Sequence, residues 1–471
     1  MSFPHRCSVS RAIDSNHPLH GRTIYLPVMA EGASEVFAAI FRRLGVEAHV
    51  TPTSSKRTLE MGGKVTQGDE CYPTRVVIGD LFQVIEQPGF DPVRSVFFLP
   101  TSDGPCRFGQ YVPYLKKILR ESGHGQIEII SPSDKHSYAE LGNTVDTFMR
   151  LGWRGVVASD SLHRLLLKTR PYETVAGSAD DAYQESLKDL CETIESTCDN
   201  VNCQLQDLVA SLKRARDRFR NVPAKYDNNL PLIGVVGEIF CRLNTFSNED
   251  FVRRLESHGA EASLSHVAEW VSYTSLEERR GLQMFGRTFS LEMLGAKVRT
   301  HVRRSDEEAL LAPLREDFEG YEEPQVEEII KLAWPYLPAS GVTGEMVLSV
   351  GLVAYHAKHG ADGIIDISPF ACMNGTVSEA IYPRVSRDYG GIPVRSFYFD
   401  GTHSDLDRDL GVYLELAHSH HENKPYPRRR PSFCRPSSGW GVALDENSAR
   451  RVPTATPARI LRVSGEEISR K

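Results

Sequence analysis

Three cysteines stand in sequence contexts that favour a thiolate. Cys71 lies in QGDECYPT, Cys106 in TSDGPCRFGQY and Cys372 in DISPFACMNGTVSEAI, and each comes just before a predicted helix. The N-terminus of a helix carries about half a positive charge, so it lowers the pKa of a nearby thiol and favours anionic groups. Cys106 and Cys372 also follow predicted strands, at the sheet edge where ligands of open α/β sheets bind. These three residues are therefore the first candidates for ligands of a metal or a cluster.

The spacing of the cysteines along the chain distinguishes between kinds of site. Structural zinc sites mostly use Cys-x-x-Cys pairs, and the sequence contains none. A catalytic cysteine needs a histidine partner, and none of the three motifs contains a histidine. An iron–sulfur cluster held between domains by distant loops fits better, with another metal or unbound thiols as the alternatives. Three thiolates would leave one iron with an open position for substrate, water or a further ligand.

Two other residues belong to the same chemical hypothesis. Cys241, in GEIFCRLNTFSNEDF, follows the predicted strand Leu232–Phe240 and is either a weak fourth ligand or a buried structural thiol. Glu238, at the end of that strand, is the candidate proton donor, because a carboxylate buried near a negatively charged cluster has a raised pKa. The alternative is a structural carboxylate that accepts hydrogen bonds from backbone N–H groups. The other cysteines are expected to be structural or incidental, and all of them to be reduced, because disulfides are rare in cytosolic proteins.

Composition and motifs exclude several other classes of function. The net charge of −7 and the pI near 6.2 give no reason to expect a nucleic-acid partner. No run of about 18 apolar residues and no apolar leader is present, so a cytoplasmic protein without a membrane span is expected. Gly-x-Gly-x-x-Gly, P-loop, His-Glu-x-x-His and Gly-x-Ser-x-Gly motifs are absent.

The elements that must position these residues alternate between strands and helices. The phrase strand, helix, strand occurs at 22–51 and again at 232–264, which predicts two related α/β domains with parallel sheets. Between them an apolar stripe at three- and four-residue steps, from Tyr183 to Phe219, predicts one long bridging helix. The predicted strands are Arg22–Val28, Val46–Thr51, Ser95–Leu99, Ile127–Ile130, Leu232–Phe240, Glu261–Leu264 and Gly363–Ile367.

The chain of 471 residues is too long for one hydrophobic core. The predicted organisation is a first α/β domain at 1–170, the bridging helical segment at 171–228 and a second α/β domain at 229–417. Residues 418–471 contain 11 basic and 5 acidic residues with many prolines and serines, which predicts a basic, disordered and dispensable tail.

The cysteine motifs, in this order and spacing, resemble those of a known superfamily. GDECYPT, TSDGPCRFGQY, GEIFCRLNTFSNEDF and GADGIIDISPFACMNGT are similar to motifs of the 2-hydroxyacyl-CoA dehydratase, benzoyl-CoA reductase and double-cubane cluster proteins. The most similar branch is the stand-alone one called acyl-CoA dehydratase activase-related. The resemblance covers roughly Arg22 to Leu416. After Asp400-Gly401-Thr402 the sequence HSDLDRDL departs from the family pattern, and no coenzyme A pocket is recognisable.

This resemblance implies two flavodoxin-like (Rossmann-type) domains with a 4Fe–4S cluster between them, held by Cys71, Cys106 and Cys372. Family dehydratases, enzymes of anaerobic metabolism, receive one electron from a separate ATP-hydrolysing iron–sulfur activator and pass it to an acyl-CoA, which loses water. The resemblance therefore implies a lyase or reductase acting on an acyl-CoA-like substrate. The alternative is a non-catalytic protein that carries a cluster or an electron for such an enzyme. A related subunit or a second copy is a further expected partner.

Overall fold

The computed structural model describes residues 13–101, 106–131, 139–226, 229–338, 344–402, 405–424, Tyr426 and Arg428, which lie in one compact unit. Within these residues no helix has both the length and the apolar character needed to cross a bilayer.

The strands of the described residues form two four-stranded sheets in which every pairing is parallel. The strand order is β2-β1-β3-β4 in the first sheet and β6-β5-β7-β8 in the second. This is the flavodoxin-like order without a fifth strand, so the predicted fold class is confirmed. The strands are β1 Thr23–Leu26, β2 Glu47–Val50, β3 Ser95–Phe98, β4 Glu128–Ile130, β5 Leu232–Gly237, β6 Glu261–Leu264, β7 Gly363–Pro369 and β8 Val394–Phe399.

Fifteen helices lie in the described residues and cover the faces of the sheets. They are α1 Glu31–Arg43, α2 Lys56–Val65, α3 Tyr72–Ile85, α4 Tyr111–Glu121, α5 Val145–Thr169, α6 Ser178–Ser196, α7 Val201–Arg220, α8 Ile239–Leu243, α9 Phe251–Ser257, α10 Val267–Met284, α11 Leu291–Leu311, α12 Val326–Ala333, α13 Glu345–Lys358, α14 Met373–Asp388 and α15 Leu406–Asn423.

The core explains why the central strands are continuous apolar runs. Strands β5 and β7 are buried along their whole length, as expected for parallel strands covered by helices on both faces. One core cluster contains Phe97 and Ile129 of the first sheet together with Ile233 and Ile365 of the second. The first half of the molecule (residues 13–131, with β1–β4) and the second half (residues 229–424, with β5–β8) therefore pack on a shared core.

The segment predicted as one bridging helix is two antiparallel helices, α6 and α7. They are separated after Ser196, and the Asn200 side chain caps α7 by accepting hydrogen bonds from the N–H groups of Asn202 and Cys203. The apolar stripe runs through both helices because an antiparallel pair buries the same face of each. The element that touches both halves is α5, which packs against α1 in the first half and against β6 and α10 in the second.

The expectation that all cysteines are reduced is wrong for one pair. Cys198 and Cys203 form a disulfide across the break between α6 and α7, with a Cα–Cα distance of 6.4 Å. The turn and the first residues of α7 bring the two side chains together, which a linear apolar stripe does not reveal.

Two predicted boundaries also differ from the structure. Strand β5 ends at Gly237, whose φ of 113° is accessible to glycine, and Glu238 begins a short helix instead of ending the strand. Helix α15 continues through residue 418, where the tail was predicted to begin, and ends at Asn423. Beyond it, Lys424 pairs with Asp362 at 2.6 Å and Arg428 pairs with Glu261 at 2.7 Å. The rest of the predicted tail, apart from Tyr426, lies outside the described residues.

Candidate functional site

The carboxyl edges of the two sheets face each other. Asn244, in the loop after α8, donates a hydrogen bond from Nδ2 to the carbonyl of Val28, which follows β1, at 2.7 Å. Strand order reverses between β1 and β3 in the first sheet and between β5 and β7 in the second, and ligands of such sheets bind at these points. Residues that follow the central strands of both halves therefore meet at one place.

Cys71 is the residue directly before α3, where Pro73 occupies a first-turn position that needs no N–H donor. Its sulfur lies 3.0 Å from the Thr74 hydroxyl and 2.8 Å from the Tyr111 hydroxyl. Tyr111 is the first residue of α4, the helix reached from Cys106 through one short helical turn. Contact with Tyr111 thus places Cys71 beside the segment that carries Cys106.

Cys106 precedes that turn, Arg107–Gln110, and so stands at a helix start as predicted. Arg107 donates from Nη1 to the carbonyl of Asp69 at 2.9 Å, which ties the Cys106 segment to the loop before Cys71. Burial raises the pKa of the Cys106 thiol to about 11, with further contributions from nearby carboxylates, whereas a hydrogen bond from the backbone of Phe108 opposes the rise.

Cys372 follows β7 and precedes α14 directly. The residue before it, Ala371, has a φ of 58°, a left-handed conformation that is uncommon and strained for a residue with a side chain. The N–H of Phe370 holds the turn by donating to the carbonyl of Phe399 at 2.9 Å. Burial raises the pKa of the Cys372 thiol to about 12, and the backbone of Gly375 opposes the rise.

Two carboxylates from the second half complete the site. Glu238 caps α8 by accepting hydrogen bonds from the N–H groups of Phe240 and Cys241 at 3.0 and 2.8 Å. Glu345, the first residue of α13, accepts one from the N–H of Ile239 at 2.9 Å. Burial raises the pKa of both carboxyl groups, and the charge of Glu238 raises that of Glu345 further.

These five groups act on one another electrostatically. Glu238 and Glu345 both raise the pKa of Cys106 and of Cys372, and Cys71 raises that of Cys106. The structure therefore brings together the three cysteines that the sequence selected, with both carboxylates beside them.

One buried cation, Arg242, partly balances this negative charge. Its side chain donates from Nη1 to the carbonyl of Gly237 at 2.6 Å, and its charge lowers the pKa of both Glu238 and Glu345. Arg242 is buried, and its Nε has no hydrogen-bond partner among the described residues.

The sulfurs of Cys71, Cys106 and Cys372 do not lie around a single point, as the ligands of one ion would. Among the described residues, the one group of three ligand atoms within 4.8 Å of one another is Cys198, Cys203 and Asp207, and two of these are joined in the disulfide. Thiolates that bind different irons of a cluster stand further apart than thiolates on one ion. The expectation that a helix start lowers the thiol pKa is wrong for Cys106 and Cys372, because burial and the nearby carboxylates outweigh the helix start and raise both pKa values.

The structure places Cys241 inside α8, completely buried in the core shared by the two halves. Its sulfur lies 3.9 Å from the carbonyl of Ser247, and burial raises its pKa well above the usual value. These surroundings are those of a structural thiol. Asn374, which follows Cys372, is buried with no hydrogen-bond partner at Oδ1 among the described residues. The cysteines Cys7 and Cys434, which are not candidate ligands, lie outside the described residues.

Glu345 was not among the residues selected from sequence. The available signal was its position: α13 is the helix directly before β7, just as α3 is the helix directly before β3. Aligning the two helix starts places Gly344 and Glu345 where Cys71 and Tyr72 stand in the first half.

Two neighbouring cavities lie between α5 and the second half, and neither is lined by Cys71, Cys106 or Cys372. The larger one lies between α5, β6 and α13 and contains His266, Glu269 and His356.

Comparisons with known proteins give no assignment. No protein-family model matches the chain, and no curated protein matches it. The resemblance to the dehydratase superfamily is therefore an expectation from the cysteine motifs.

Proposed function

We propose that this protein binds a 4Fe–4S cluster through Cys71, Cys106 and Cys372 and uses it to reduce or dehydrate an acyl-CoA-like substrate. The observation that carries the proposal is the meeting of three thiols, each at the start of a helix, beside Glu238 and Glu345 at the facing edges of two parallel sheets.

The bound cluster would supply one-electron chemistry at low potential and one iron without a protein ligand. The chain's own residues would hold and tune it. Backbone N–H groups at the helix starts of Cys106 and Cys372 are directed at the sulfurs, and such hydrogen bonds stabilise thiolate charge. The Tyr111 hydroxyl, 2.8 Å from the sulfur of Cys71, is placed to do the same there.

Glu238 is the proposed proton donor. It is partly accessible, whereas Glu345 behind it is buried, and the raised pKa of Glu238 favours the protonated form that a donor requires. Glu345 holds the start of α8 through its bond to Ile239, while burial and the charge of Asp366 raise the pKa of Glu238. The guanidinium of Arg242 supplies the positive charge that both carboxylates face.

The electron would come from a separate ATP-hydrolysing iron–sulfur protein, and the location would be the cytoplasm, where the free thiols of Cys71, Cys106 and Cys372 would stay reduced. Phe370 and Met373 flank Cys372 and are exposed, so this side of the site is open to a partner.

A second function, that of a non-catalytic cluster or electron carrier, is favoured by one observation. Neither of the two cavities described above reaches the cysteines, whereas a catalytic site needs room for substrate beside its reactive group.

A turnover experiment separates the two functions. The anaerobically reconstituted protein is mixed with an activator, ATP, a low-potential donor and a panel of 2-hydroxyacyl-CoA and enoyl-CoA thioesters. The enzyme hypothesis expects thioester consumption that falls at least tenfold in Glu238→Gln, while iron content is unchanged. Reduction of the cluster without consumption of any thioester supports the carrier, and an absence of cluster reduction contradicts both.

A further inference from the structure

The largest exposed apolar feature of the described residues is the tip of the hairpin formed by α10 and α11. Phe289 is fully exposed, Leu291 and Phe285 are 86% and 83% exposed, and Met284, Leu294 and Val298 are 65%, 59% and 54% exposed. From residue 277 to residue 292 no side chain is buried. Soluble monomers rarely present so many large apolar side chains side by side, so this tip is expected to be covered by another molecule. The hairpin tip is defined here as residues 277–298.

The base of the hairpin is firmly packed, so the tip is held out from the body of the protein. Tyr273 and Leu276 of α10 are buried in an apolar core of the second half. The Tyr273 hydroxyl accepts a hydrogen bond from the N–H of Gly344. Asp306 of α11 is held by both Arg150 and Arg154, with N–O distances of 3.0 and 2.8 Å. A helix rises 1.5 Å per residue, so Met284 stands about 16 Å beyond Tyr273.

The apolar side chains lie on one face of the tip. Leu291, Leu294 and Val298 recur at three- and four-residue steps along α11, while Met293 and Ala296, between them, point into the hairpin and are buried. Met284 and Phe285 at the end of α10 and Phe289 in the connection all lie within seven residues of Leu291, and each adds an exposed apolar side chain at the same end of the hairpin. Two antiparallel helices with such a face are half of a four-helix bundle.

We infer that the hairpin tip binds the same tip of a second copy of this chain, giving a two-fold dimer whose centre is a four-helix bundle. The exposed apolar area of the tip is large enough for a stable interface. Summed over the six apolar residues, the exposed fractions equal about four and a half fully exposed residues. That is roughly 800 Å² per copy, the amount that a stable interface of standard size buries on each partner.

The carboxylates of the tip give no reason to expect a basic partner. The carboxylates of the tip are all engaged within the hairpin, Glu277 with Arg280, Glu278 with Arg299 and Glu292 with Arg287. No acidic patch is left to recruit a basic partner. A transient electron donor is an equally poor fit, because such encounters use small interfaces, and a fully apolar face is typical of permanent dimers.

A two-fold interface explains how so apolar a surface avoids aggregation. In an isologous dimer the same patch is used on both copies, so the contact closes after two chains and leaves no apolar face free.

The inference is tested by light scattering after size-exclusion chromatography. The full chain is purified anaerobically and measured at about 20 µM. The wild-type protein is expected at twice its chain mass of 52.7 kDa. The double variant Phe289→Asp/Leu291→Asp is expected at the single-chain mass, since two carboxylates per copy would be buried without partners. Both positions are exposed, so circular dichroism and melting temperature of the variant should indicate a folded protein.

The matched control is Val93→Asp/Val175→Asp, which places the same charges at two exposed apolar residues outside the hairpin. This control should remain dimeric. A monomeric wild-type protein, a dimer that survives in the hairpin variant, or a mass above the dimer that grows with concentration would each overturn the inference.

Discussion

The two halves of the molecule have the same strand order but different chemistry at the edges that face each other. The third strand of each half leads to a cysteine at the start of a helix, Cys106 after β3 and Cys372 after β7. The helix before that strand begins after Cys71 in the first half, whereas in the second half it begins with Glu345. After the first strand, the second half carries the acid Glu238 and the first half carries no charged residue before Glu31.

This difference assigns separate tasks to the two halves. The first half contributes two thiols and the hydroxyl of Tyr111, whereas the second contributes one thiol, two carboxylates and Arg242. A repeated architecture provides equivalent positions at the edge of each sheet, and in the proposed function the first half would supply only ligands, whereas the second would supply one ligand and the acid–base groups.

The largest effect is expected from removing the charge balance of the second half. Arg242→Met leaves Glu238 and Glu345 without their buried cation and should lower the free energy of unfolding by about 4 kcal/mol. Urea denaturation of the apo protein measures it. Arg299→Met, at a side chain 55% exposed in a surface pair with Glu278, is the matched control and should change the value by less than about 1 kcal/mol. Equal effects of the two substitutions would mean that the second half does not depend on buried charge.

The first half contains a buried acid of another kind. Asp80 in α3 accepts a hydrogen bond from the Ser54 hydroxyl at 2.8 Å, and burial raises the pKa of Asp80 to about 7. With the helix starts aligned, the equivalent residue of α13 is the apolar Val353.

The raised pKa of Asp80 makes the stability of the protein depend on pH. The stability that protonated Asp80 contributes is fully present below about pH 4, where the group is protonated in both the folded and the unfolded chain. This contribution is lost as pH rises through 7, because the buried carboxyl then ionises. Between pH 5 and pH 8 the wild-type protein should lose about 3 kcal/mol of unfolding free energy relative to Asp80→Asn. The comparison is made by urea denaturation at both pH values, and parallel pH profiles of the two proteins would contradict the assignment.

The smallest effect is expected in the helical pair between the halves. The disulfide between Cys198 and Cys203 closes a short loop, so its reduction should lower the unfolding free energy by about 2 kcal/mol. Denaturation with and without dithiothreitol measures this, and the double variant Cys198→Ser/Cys203→Ser should no longer respond to the reductant. Since α6 and α7 lie outside the cysteine site, reduction should leave iron content unchanged.

The parts of this account that could be predicted from sequence are those with local signals. Strands β1 to β7 were predicted because strand and helix patterns alternate along the chain, and the three cysteines were selected because each precedes a helix. Strand β8, Val394–Phe399, was not among the predicted strands, and its burial alternates only weakly. Glu238 was predicted at the end of a strand, whereas it begins a short helix, and only the positive φ of Gly237 shows that the strand has ended.

Other features depend on contacts between distant residues. The role of Glu345 follows from its hydrogen bond to Ile239, a residue more than a hundred positions away. The disulfide depends on the turn between α6 and α7, and the ion pair of Arg428 with Glu261 joins a Pro- and Arg-rich segment to strand β6. The composition around residue 428 predicts a segment exposed to solvent, whereas the Arg428 side chain is buried in its ion pair with Glu261.

The most direct test of the central claim is the iron content of single cysteine variants after anaerobic reconstitution. Iron and sulfide analysis with EPR of the dithionite-reduced protein should show one 4Fe–4S cluster per chain in the wild type and in Cys191→Ala, a buried free cysteine away from the site. Cys71→Ala, Cys106→Ala and Cys372→Ala should each lose most of the iron and the EPR signal. Full iron content in these three variants would contradict the account.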